Sequence, residues 1–444
     1  MVKTGSRRTR KIASRKIDDS FDLRGATPFG GFNLASDYMT RLGIDRKLLK
    51  YFGRWKCKWA VYGMAVILRH VLDGFLLGLG RIYDFEAVED DPLICAKRGL
   101  DKMPDYTLLY KDLERFADLD GIDTLRLIDQ GVFRDILAKQ CGAVLEVDST
   151  VETLYGSQEG ALVGYNPRKP GRPSYHPILC RERKSGFFLR AELRPGDSGS
   201  ASDAVLFLQR LEPLLPRRGI ILTRADKAFA SETVMAFHEE RPRWGYVLKL
   251  KLDRELQVLA YTLSRRRWRR IDDGSEDLVE VASVQIKRQA WSRRRRIVFW
   301  RRKNPNNPQG SFWDDLGFNY GAYVTDRDWM EEDVIAFYQQ RADIEKAIFD
   351  LKDGLGIDKI SSEHFLANEA ALVLKCMAYN ILVRYNHDVL RLARRPLVTT
   401  LRRLFLHIPA KLSRSGRRLT LRISELCPWA HEATVFRERI ASLA

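Results

Sequence analysis

The chain has 444 residues, with 76 Lys and Arg against 58 Asp and Glu, which makes a formal net charge of +18. A chain of this length buries a large core and divides into two or three domains, and its charge favours a polyanionic partner, nucleic acid first. The longest apolar stretch, around residues 61–80, is broken by Arg69, His70 and Asp73, and the N-terminus lacks the apolar stretch of a secretory signal. A membrane protein is therefore not expected, and a cytoplasmic location is.

Cysteine and histidine usage argues against a zinc or disulfide framework. The six cysteines and seven histidines are scattered, without a CxxC pair or a histidine at zinc spacing from a cysteine. We expect the cysteines to be buried thiols in a reducing compartment. Any metal ligands should then be carboxylates, which points to Mg²⁺ or Mn²⁺.

The N-terminal third is predicted to be helical. Residues 1–30 are interpreted as a flexible basic arm able to lie along phosphates, and residues 31–140 as a helical DNA-binding domain, because apolar residues recur there at helical spacing. Residues 91–116 have the shape of helix, short turn, helix, so one interpretation is a DNA-reading helix that begins near Asp105. Plain helical packing is the alternative.

The pattern changes to α/β over residues 141–252. The apolar strand AVLEVDST carries Asp148 at its carboxyl end, and two strand-like runs follow, HPILCRE and FFLRAEL. After a helix, the strand GIILTRAD ends in Asp226, and a second helix and the strand WGYVLKLKL complete the order. Three strands, helix, strand, helix, strand is the arrangement of a ribonuclease-H-like core, so the fold class is α/β.

Three further regions complete the predicted organisation. Residues 253–320, rich in Arg and Trp, are interpreted as a β-rich insertion in the core, which resumes over residues 321–365. Residues 366–444 are predicted to be a helical and basic C-terminal region.

One helix, predicted across residues 338–352, carries a polar face where a core face would be apolar. At about 100° per residue, the residues that share this narrow face are Tyr338, Arg341, Glu345 and Lys352. A carboxylate among cations suits a metal-bound phosphodiester, with Glu345 holding the metal and Arg341 and Lys352 neutralising phosphates. A solvated face with charges paired four residues apart is the alternative.

Three carboxylates are therefore candidates for one site: Asp148, Asp226 and Glu345. Ligands of open α/β sheets collect at strand ends, and three converging carboxylates can hold two divalent ions about 4 Å apart. One ion would activate water or a 3′-hydroxyl, and the other would stabilise the departing oxygen. Taken singly, each aspartate is better explained as a turn residue and the glutamate as half of an ion pair. Taken together, in the order strand, strand, helix within a basic chain, the three favour a nuclease core.

Four stretches carry a family resemblance that runs from about residue 140 to the C-terminus. Tyr338, Arg341, Glu345 and Lys352 match the Tyr-x2-Arg-x3-Glu-x6-Lys signature of bacterial insertion-sequence transposases with an Asp-Asp-Glu triad. Residues 145–180, 221–229 and 366–382 resemble the same family, and SRSGRRLTLRIS resembles the end of one subgroup. One departure lies at the second aspartate, where ADKAF stands in place of the Asp-Ser-Gly-Phe or Asp-Gly-Gly-Tyr of relatives. The missing glycine affects the local turn and not the metal ligand.

The resemblance implies roles for the signature and for the insertion. Asp148, Asp226 and Glu345 would be the catalytic triad that binds Mg²⁺ or Mn²⁺, two ions per active site. Tyr338, Arg341 and Lys352 would hold the backbone of the transposon end. In relatives a tryptophan of the insertion captures a flipped base, and stacking supplies about 1–3 kcal/mol per base. The candidates are Trp268, Trp291, Trp300 and Trp313, and filling the insertion's own core is the alternative for each.

Several cations outside the signature are predicted phosphate contacts. Those in the insertion are Arg265, Arg267, Arg293 and Arg295, and those in the hairpin after Asp148 are Arg168, Lys169 and Arg172. Arginines on solvated strand edges are the alternative.

The expected function is cut-and-paste DNA transposition in a bacterial, nucleoid-associated setting. The protein would bind terminal inverted repeats through its N-terminal helices and C-terminal basic segments, cut the ends, and join the 3′-hydroxyls to double-stranded target DNA as a homodimer. The alternatives are a structure-specific DNA nuclease and a catalytically silent DNA-binding or repressor protein, against which the intact triad argues.

Overall fold

The computed structural model describes residues 17–199, 203–272, 278–303, 318–360 and 362–443. Residues 1–16 of the expected basic arm, residues 1–30, lie outside these ranges. In its described part, residues 17–25 form neither helix nor strand, and residues 26 and 27 form a short strand.

The N-terminal part is helical, as its apolar spacing predicted. After a short strand β1 (Ala26–Thr27), its helices are α1 (Phe32–Arg41), α2 (Ile44–Phe52), α3 (Met64–Leu77), α4 (Pro92–Arg98), α5 (Tyr106–Leu113) and α6 (Leu119–Ala138). Asp105 accepts hydrogen bonds from the backbone N–H groups of Thr107 and Leu108. This N-cap explains why α5 begins where the sequence predicted a helix start.

The middle of the chain is α/β. Its elements before the insertion are β2 (Ala143–Ser149), β3 (Glu152–Thr153), β4 (Leu162–Val163), β5 (Pro173–Tyr175), β6 (Ile178–Glu182), β7 (Phe188–Glu192), α7 (Ala204–Leu211), β8 (Ile221–Ala225), α8 (Glu232–Glu239) and β9 (Trp244–Lys249). Those that follow are α9 (Arg254–Thr262), β10 (Arg269–Ile271), β11 (Val279–Ile286), β12 (Arg295–Lys303), β13 (Phe318–Thr325), α10 (Glu331–Gln339) and α11 (Ala342–Leu355).

The C-terminal part is built around one long helix. Its elements are α12 (Phe365–Tyr385), α13 (Val398–Leu401), the strands β14 (Ala410–Ser415) and β15 (Arg418–Ile423), and α14 (Ala433–Ala441). The region Phe365–Leu390 is long and apolar enough to cross a membrane, but 94% of its apolar window is buried inside the protein. It is therefore the central core helix, packed against α3, α6 and β7.

The main sheet has the predicted ribonuclease-H-like core. In the described part its nine strands lie in the order β10-β11-β12-β13-β9-β8-β2-β6-β7. Strands β2, β8 and β9 are parallel neighbours, and β6 and β7 form an antiparallel hairpin beside β2. This topology confirms the predicted fold class and the order of strands and helices.

The insertion is β-rich as predicted, with strands β10, β11 and β12, whereas the expectation of one continuous signature helix is wrong. The insertion begins with a helix, α9, and its strands extend the core sheet, because β13 pairs antiparallel with β9. The signature residues do not lie on one continuous helix, since a turn at Gln340 and Arg341 separates α10 from α11. Both residues keep right-handed backbone angles, so the chain passes from one helix to the next without a reversal.

Candidate active site

Asp148 and Asp226 lie at the carboxyl ends of two neighbouring strands. β2 and β8 pair in parallel, and their register runs up to the residues immediately before the two aspartates. Both side chains are only partly exposed. The structure therefore brings these two predicted ligands side by side at one edge of the sheet.

The turn after Asp226 accommodates the departure from the family pattern. Asp226 Oδ1 accepts a 2.9 Å hydrogen bond from the backbone N–H of Ala228 and so caps the short turn Lys227–Phe229. Among the described residues outside glycine, only Asp203 and Arg391 have positive φ. The turn therefore does not need the glycine that relatives have there.

Arg341 joins the first and third predicted carboxylates. Its guanidinium nitrogens lie 2.7 Å from Asp148 Oδ2 and 2.6 Å from Glu345 Oε1. Asp148 and Arg341 are largely buried, whereas 62% of the Glu345 side chain is exposed. Glu345 thus faces the solvent side of the site, and Arg341 lies between the strand end and the helix.

The pKa of Asp148 reflects the proximity of the other two carboxylates. Burial raises the pKa of Asp148 to about 6; Arg341 opposes this shift, and Asp226 and Glu345 raise the pKa further. Negative groups that destabilise one another in this way are stabilised by a cation. Arg341 supplies that positive charge within the protein itself.

The donor chemistry fits a divalent metal, but the present side-chain arrangement does not form a closed site. Three carboxylates offer the hard oxygen ligands that Mg²⁺ and Mn²⁺ prefer. As arranged, no three His, Cys, Asp or Glu side chains in the described ranges are grouped closely enough to hold a metal ion. Metal binding by Asp148 and Glu345 would require Arg341 to turn away from at least one of them.

A buried ion pair supports the two aspartates from within the sheet. Glu146 and Arg224 lie opposite each other in the β2–β8 register, two residues before Asp148 and Asp226. Their fully buried side chains form an ion pair, and Arg181 lies 2.7 Å from the other oxygen of Glu146. This ion pair was not predicted from the sequence, although opposite charges two residues before both aspartates were a signal for it.

Arg224 also fastens the signature helices to the sheet. Its guanidinium donates hydrogen bonds of 2.5 Å to the carbonyl of Phe337 and 2.8 Å to that of Gln340. These carbonyls lie at the break between α10 and α11. The break between the helices therefore leaves two backbone carbonyls free to accept hydrogen bonds from the buried Arg224. It also positions Arg341 over the end of β2.

The other two signature residues are more buried than a row of phosphate contacts implies. Tyr338 is 8% exposed, and its ring stacks on Tyr323 with a centroid separation of 4.3 Å. Lys352 is half-buried, and its Nζ donates a 3.1 Å hydrogen bond to the carbonyl of Val151. Their contacts with DNA stay predictions.

Behind Lys352 lies a buried charge cluster that the sequence analysis missed. Both carboxyl oxygens of Glu152 are buried without a hydrogen-bond partner among the described residues. Burial raises the pKa of Glu152 to about 8, and Lys352 and Lys375 counter the shift. Burial also lowers the pKa of Lys375 to about 8, and its Nζ donates to the carbonyls of Gly356 and Lys359. A lysine inside the apolar run LVLKCMA was the available signal.

The predicted phosphate contacts divide by exposure. Those that lie exposed are Arg168, Lys169, Arg172, Arg265, Arg267 and Arg293. Arg293 also lies 3.3 Å from Glu239. Arg295 is 3% exposed and forms ion pairs with Glu232 and Glu239. Because its guanidinium is occupied inside the protein, the structure does not support Arg295 as a phosphate contact.

The tryptophans proposed for base capture are mostly packed. Trp268 and Trp291 are buried, with the guanidinium of Arg301 4.3 Å from the Trp268 ring centroid. Trp300 is half-buried and lies against Gly321, where an added Cβ would come within 2.3 Å of the indole. Trp313 lies outside the described residues. This arrangement favours the packing alternative for Trp268 and Trp291.

Comparison with known proteins assigns the family. The sequence model of the transposase DDE domain, group 1, matches residues 9–444. A search of curated proteins finds no match. Among solved structures, the chain is similar to piggyBac transposase in a cryo-EM structure of its synaptic complex with hairpin DNA, at 12% identity and a TM-score of 0.47, over 86% of this chain and 82% of that one. Because the family match spans nearly all of the sequence, the protein belongs to the transposase DDE domain group 1 family and is a DNA transposase.

Proposed function

We propose that the protein is a cut-and-paste transposase of a bacterial insertion sequence. It would bind the terminal inverted repeats, cut the transposon ends, and join the freed 3′-hydroxyls to target DNA. The observation that carries this proposal is the position of Arg341, which contacts Asp148 and Glu345 at the edge of the sheet where Asp226 also lies.

The proposed triad is Asp148, Asp226 and Glu345, and each residue would hold divalent metal through its carboxylate. Two Mg²⁺ or Mn²⁺ ions, when bound, would supply activation of the attacking water or 3′-hydroxyl and neutralisation of charge on the phosphate. The rest of the site positions DNA. Arg341 would transfer its contacts from carboxylates to a phosphate, where a guanidinium binds two oxygens at once.

The exposed cations support double-stranded DNA as the partner. The chain carries a net charge of +18, and Arg168, Lys169 and Arg172 lie exposed in the segment that follows Asp148. Cations beside a phosphodiester site contribute affinity that depends strongly on salt. Synapsis of two transposon ends further implies a homodimer bridged by DNA.

The test is excision of the element from a plasmid that carries the gene with its flanking DNA. Native protein with Mg²⁺ or Mn²⁺ is compared with Asp148→Asn, Glu345→Gln and the control Asp353→Asn. Asp353 is an exposed carboxylate on the same helix as Glu345, eight residues further along. We expect native protein and the control to release the element, and both triad variants to lose at least about 100-fold in rate.

The alternatives predict different products. Cleavage without joining of 3′-hydroxyls to target DNA would indicate a structure-specific nuclease. Specific binding of the ends without cleavage by native protein, in either metal, would indicate a silent DNA-binding protein. Equal activity of Glu345→Gln and native protein would remove Glu345 from the triad.

A further inference from the structure

The C-terminal hairpin formed by β14 and β15 has two chemically different faces. The strands are antiparallel, with Lys411 opposite Arg422, Ser413 opposite Thr420 and Ser415 opposite Arg418. Residues directly opposite each other lie on the same face of a two-stranded ribbon, and residues two apart share that face. One face is therefore made entirely of polar side chains, here called the polar face: Lys411, Ser413, Ser415, Arg418, Thr420 and Arg422.

The other face attaches the ribbon to the protein. It carries Ala410, Leu412, Leu421 and Ile423 towards the base of the ribbon, and Leu421 and Ile423 pack against the main hydrophobic core. The segment from residue 415 to residue 420, around the turn at Gly416, is exposed. Anchored at one end and exposed at the other, the ribbon presents its polar face to solvent.

The polar face is positively charged and not neutralised by the protein. Its three cations are exposed, and within the described ranges none of them lies within ion-pair distance of a carboxylate. Cations within ion pairs, such as Arg295, are committed to the fold, whereas these are available to a partner. The charge complements a polyanion.

The ribbon's dimensions match one groove of duplex DNA. At the base of the ribbon, Ala410 and Lys411 of β14 also pair with β1. The part that is only two-stranded is Leu412–Ser415 with Arg418–Leu421, and its four residues per strand at about 3.3 Å each give a length near 13 Å. The major groove of B-DNA is about 12 Å wide and admits a two-stranded ribbon, whereas the minor groove is about half as wide. Arginine, lysine, serine and threonine are all donors to base edges there, and arginine pairs with guanine most often.

We propose that the polar face of this ribbon lies in the major groove of the transposon-end duplex and reads its sequence. Arg418 and Arg422 contact guanine edges. Ser413 and Thr420 lie opposite each other between these two arginines along the ribbon, and their hydroxyls contact neighbouring bases. This proposal rests on the proposed function and adds to it the element that distinguishes the transposon end from other DNA.

The chain offers a matched pair of variants for the test. The double variant Arg418→Ala/Arg422→Ala removes two cations from the polar face. The double variant Arg414→Ala/Arg417→Ala removes the same charge from the same hairpin, but from the opposite face and the turn. All four side chains are exposed, so both variants should keep the fold, which circular dichroism checks.

The measurement is the affinity of the full chain for a labelled end duplex and for a scrambled duplex of equal length and composition. We expect the polar-face variant to bind the end duplex about 10- to 100-fold more weakly than native protein does. Its affinity for the scrambled duplex should fall only as much as that of the control variant. The control should weaken both duplexes equally. Protection of guanine N7 from methylation should be lost with the polar-face variant and kept with the control.

Each other outcome overturns a defined statement. If the two variants weaken end binding equally, or N7 protection survives in the polar-face variant, the ribbon does not read the major groove. If native protein itself fails to prefer the end duplex, both the ribbon proposal and the proposed function are rejected. Preserved specificity in the polar-face variant, with normal excision, rejects the ribbon proposal alone.

Discussion

At the residue scale, the central feature is an arginine between carboxylates that are proposed metal ligands. Arg341 lies within 2.7 Å of Asp148 and 2.6 Å of Glu345, so it competes with any cation for the same oxygens. The same guanidinium is suited to hold phosphate once DNA arrives. In the protein alone, Arg341 should weaken metal binding by occupying the carboxylates. With DNA bound, the same guanidinium should promote cleavage by holding the phosphate.

Removing that guanidinium should separate the two effects. In the absence of DNA, Arg341→Gln is expected to bind Mn²⁺ about threefold to tenfold more tightly, because the competing ion pairs are gone. Cleavage of the transposon end should fall at least about 100-fold, since the proposed contact of Arg341 with a phosphate is lost. Calorimetric titration of Mn²⁺ and the excision assay give the two readouts, with the exposed Lys346→Gln on the same helix as control. Weaker Mn²⁺ binding by Arg341→Gln would contradict the competition.

The buried Glu152 predicts a pH dependence of stability. Its pKa is raised from an ordinary value of 4.5 to about 8, so between these values the folded protein holds a proton that the unfolded chain has released. The free energy of unfolding should therefore fall as pH rises through this window, by up to about 1.4 kcal/mol per pH unit. Glu152→Gln cannot ionise and should remove this contribution to the slope, while that of other buried carboxyls such as Asp129, whose pKa burial raises to about 7, remains.

Urea unfolding at pH 5, 6.5 and 8 measures this slope. The exposed Glu438→Gln serves as control and should keep the pH dependence of the native protein. An unchanged slope in Glu152→Gln would show that its carboxyl is not the group that titrates.

At the element scale, the break between α10 and α11 depends on a strand residue far away in sequence. Arg224 pairs with Glu146 and donates to the carbonyls of Phe337 and Gln340, which belong to the end of α10 and the turn. Without these two carbonyls, the buried guanidinium of Arg224 would have Glu146 as its one hydrogen-bonding partner among the described residues. The geometry of the signature is thus a property of helix and sheet together.

Arg224→Met should be strongly destabilising. It leaves Glu146 buried with only Arg181 as partner, and removal of one member of a buried ion pair costs about 3–5 kcal/mol. Adding Glu146→Gln should recover part of this loss, because the uncompensated charge is then gone. Urea midpoints of the single and double variants test this prediction. The control is Arg210→Met, which removes a half-exposed ion pair with Glu192 and should lower the free energy of unfolding by less than about 1 kcal/mol.

The exposed segment after Asp148 predicts a change in salt dependence. Each phosphate contact contributes about 0.9 to the slope of log affinity against log salt concentration, so the triple alanine variant of Arg168, Lys169 and Arg172 should lower the slope by about 2.7. The control removes three exposed cations near the opposite ends of β2 and β8: Lys139, Arg217 and Arg218. Equal changes of slope in both variants would indicate a general charge effect and no defined contact.

At the scale of the whole molecule, the helix α12 connects regions that the sequence analysis treated as separate domains. Asn380 donates to Asp129 of α6, Arg384 pairs with Asp135, and Tyr38 donates to Asp388 just beyond α12. The apolar faces of the N-terminal helices belong to the same hydrophobic core as this helix. The N-terminal helices therefore complete their core with residues near the C-terminus.

A fragment of residues 31–140 should consequently not fold by itself. It would expose the faces of α3 and α6 that pack on α12, and we expect poor dispersion of its amide NMR signals and strong binding of a hydrophobic dye. The full chain, measured alongside, should give dispersed signals and little dye binding. A well-dispersed spectrum from the fragment would restore the expectation of an independent DNA-binding domain.

The sequence by itself determined the fold class and the identity of the candidate triad. The choice of Glu345 rests on the family signature and not on a shared helix face, because the helix breaks at Gln340 and Arg341. Strand ends, in contrast, can be read from alternation and turn signals, and these put Asp148 and Asp226 at the carboxyl ends of neighbouring strands, where the structure also has them. These are local properties, because side-chain direction in a strand or helix follows from the backbone period alone.

Only the tertiary structure decided where the signature helix breaks, how the insertion extends the sheet, and which charges are buried. The ion pair of Glu146 with Arg224 and the contact of Lys352 with Val151 join residues 78 and 201 positions apart. Burial of Arg295 likewise comes from Glu232 and Glu239 on another element. The desolvation and pairing of a charge depend on which distant segments surround it, and no local pattern in the sequence contains that information.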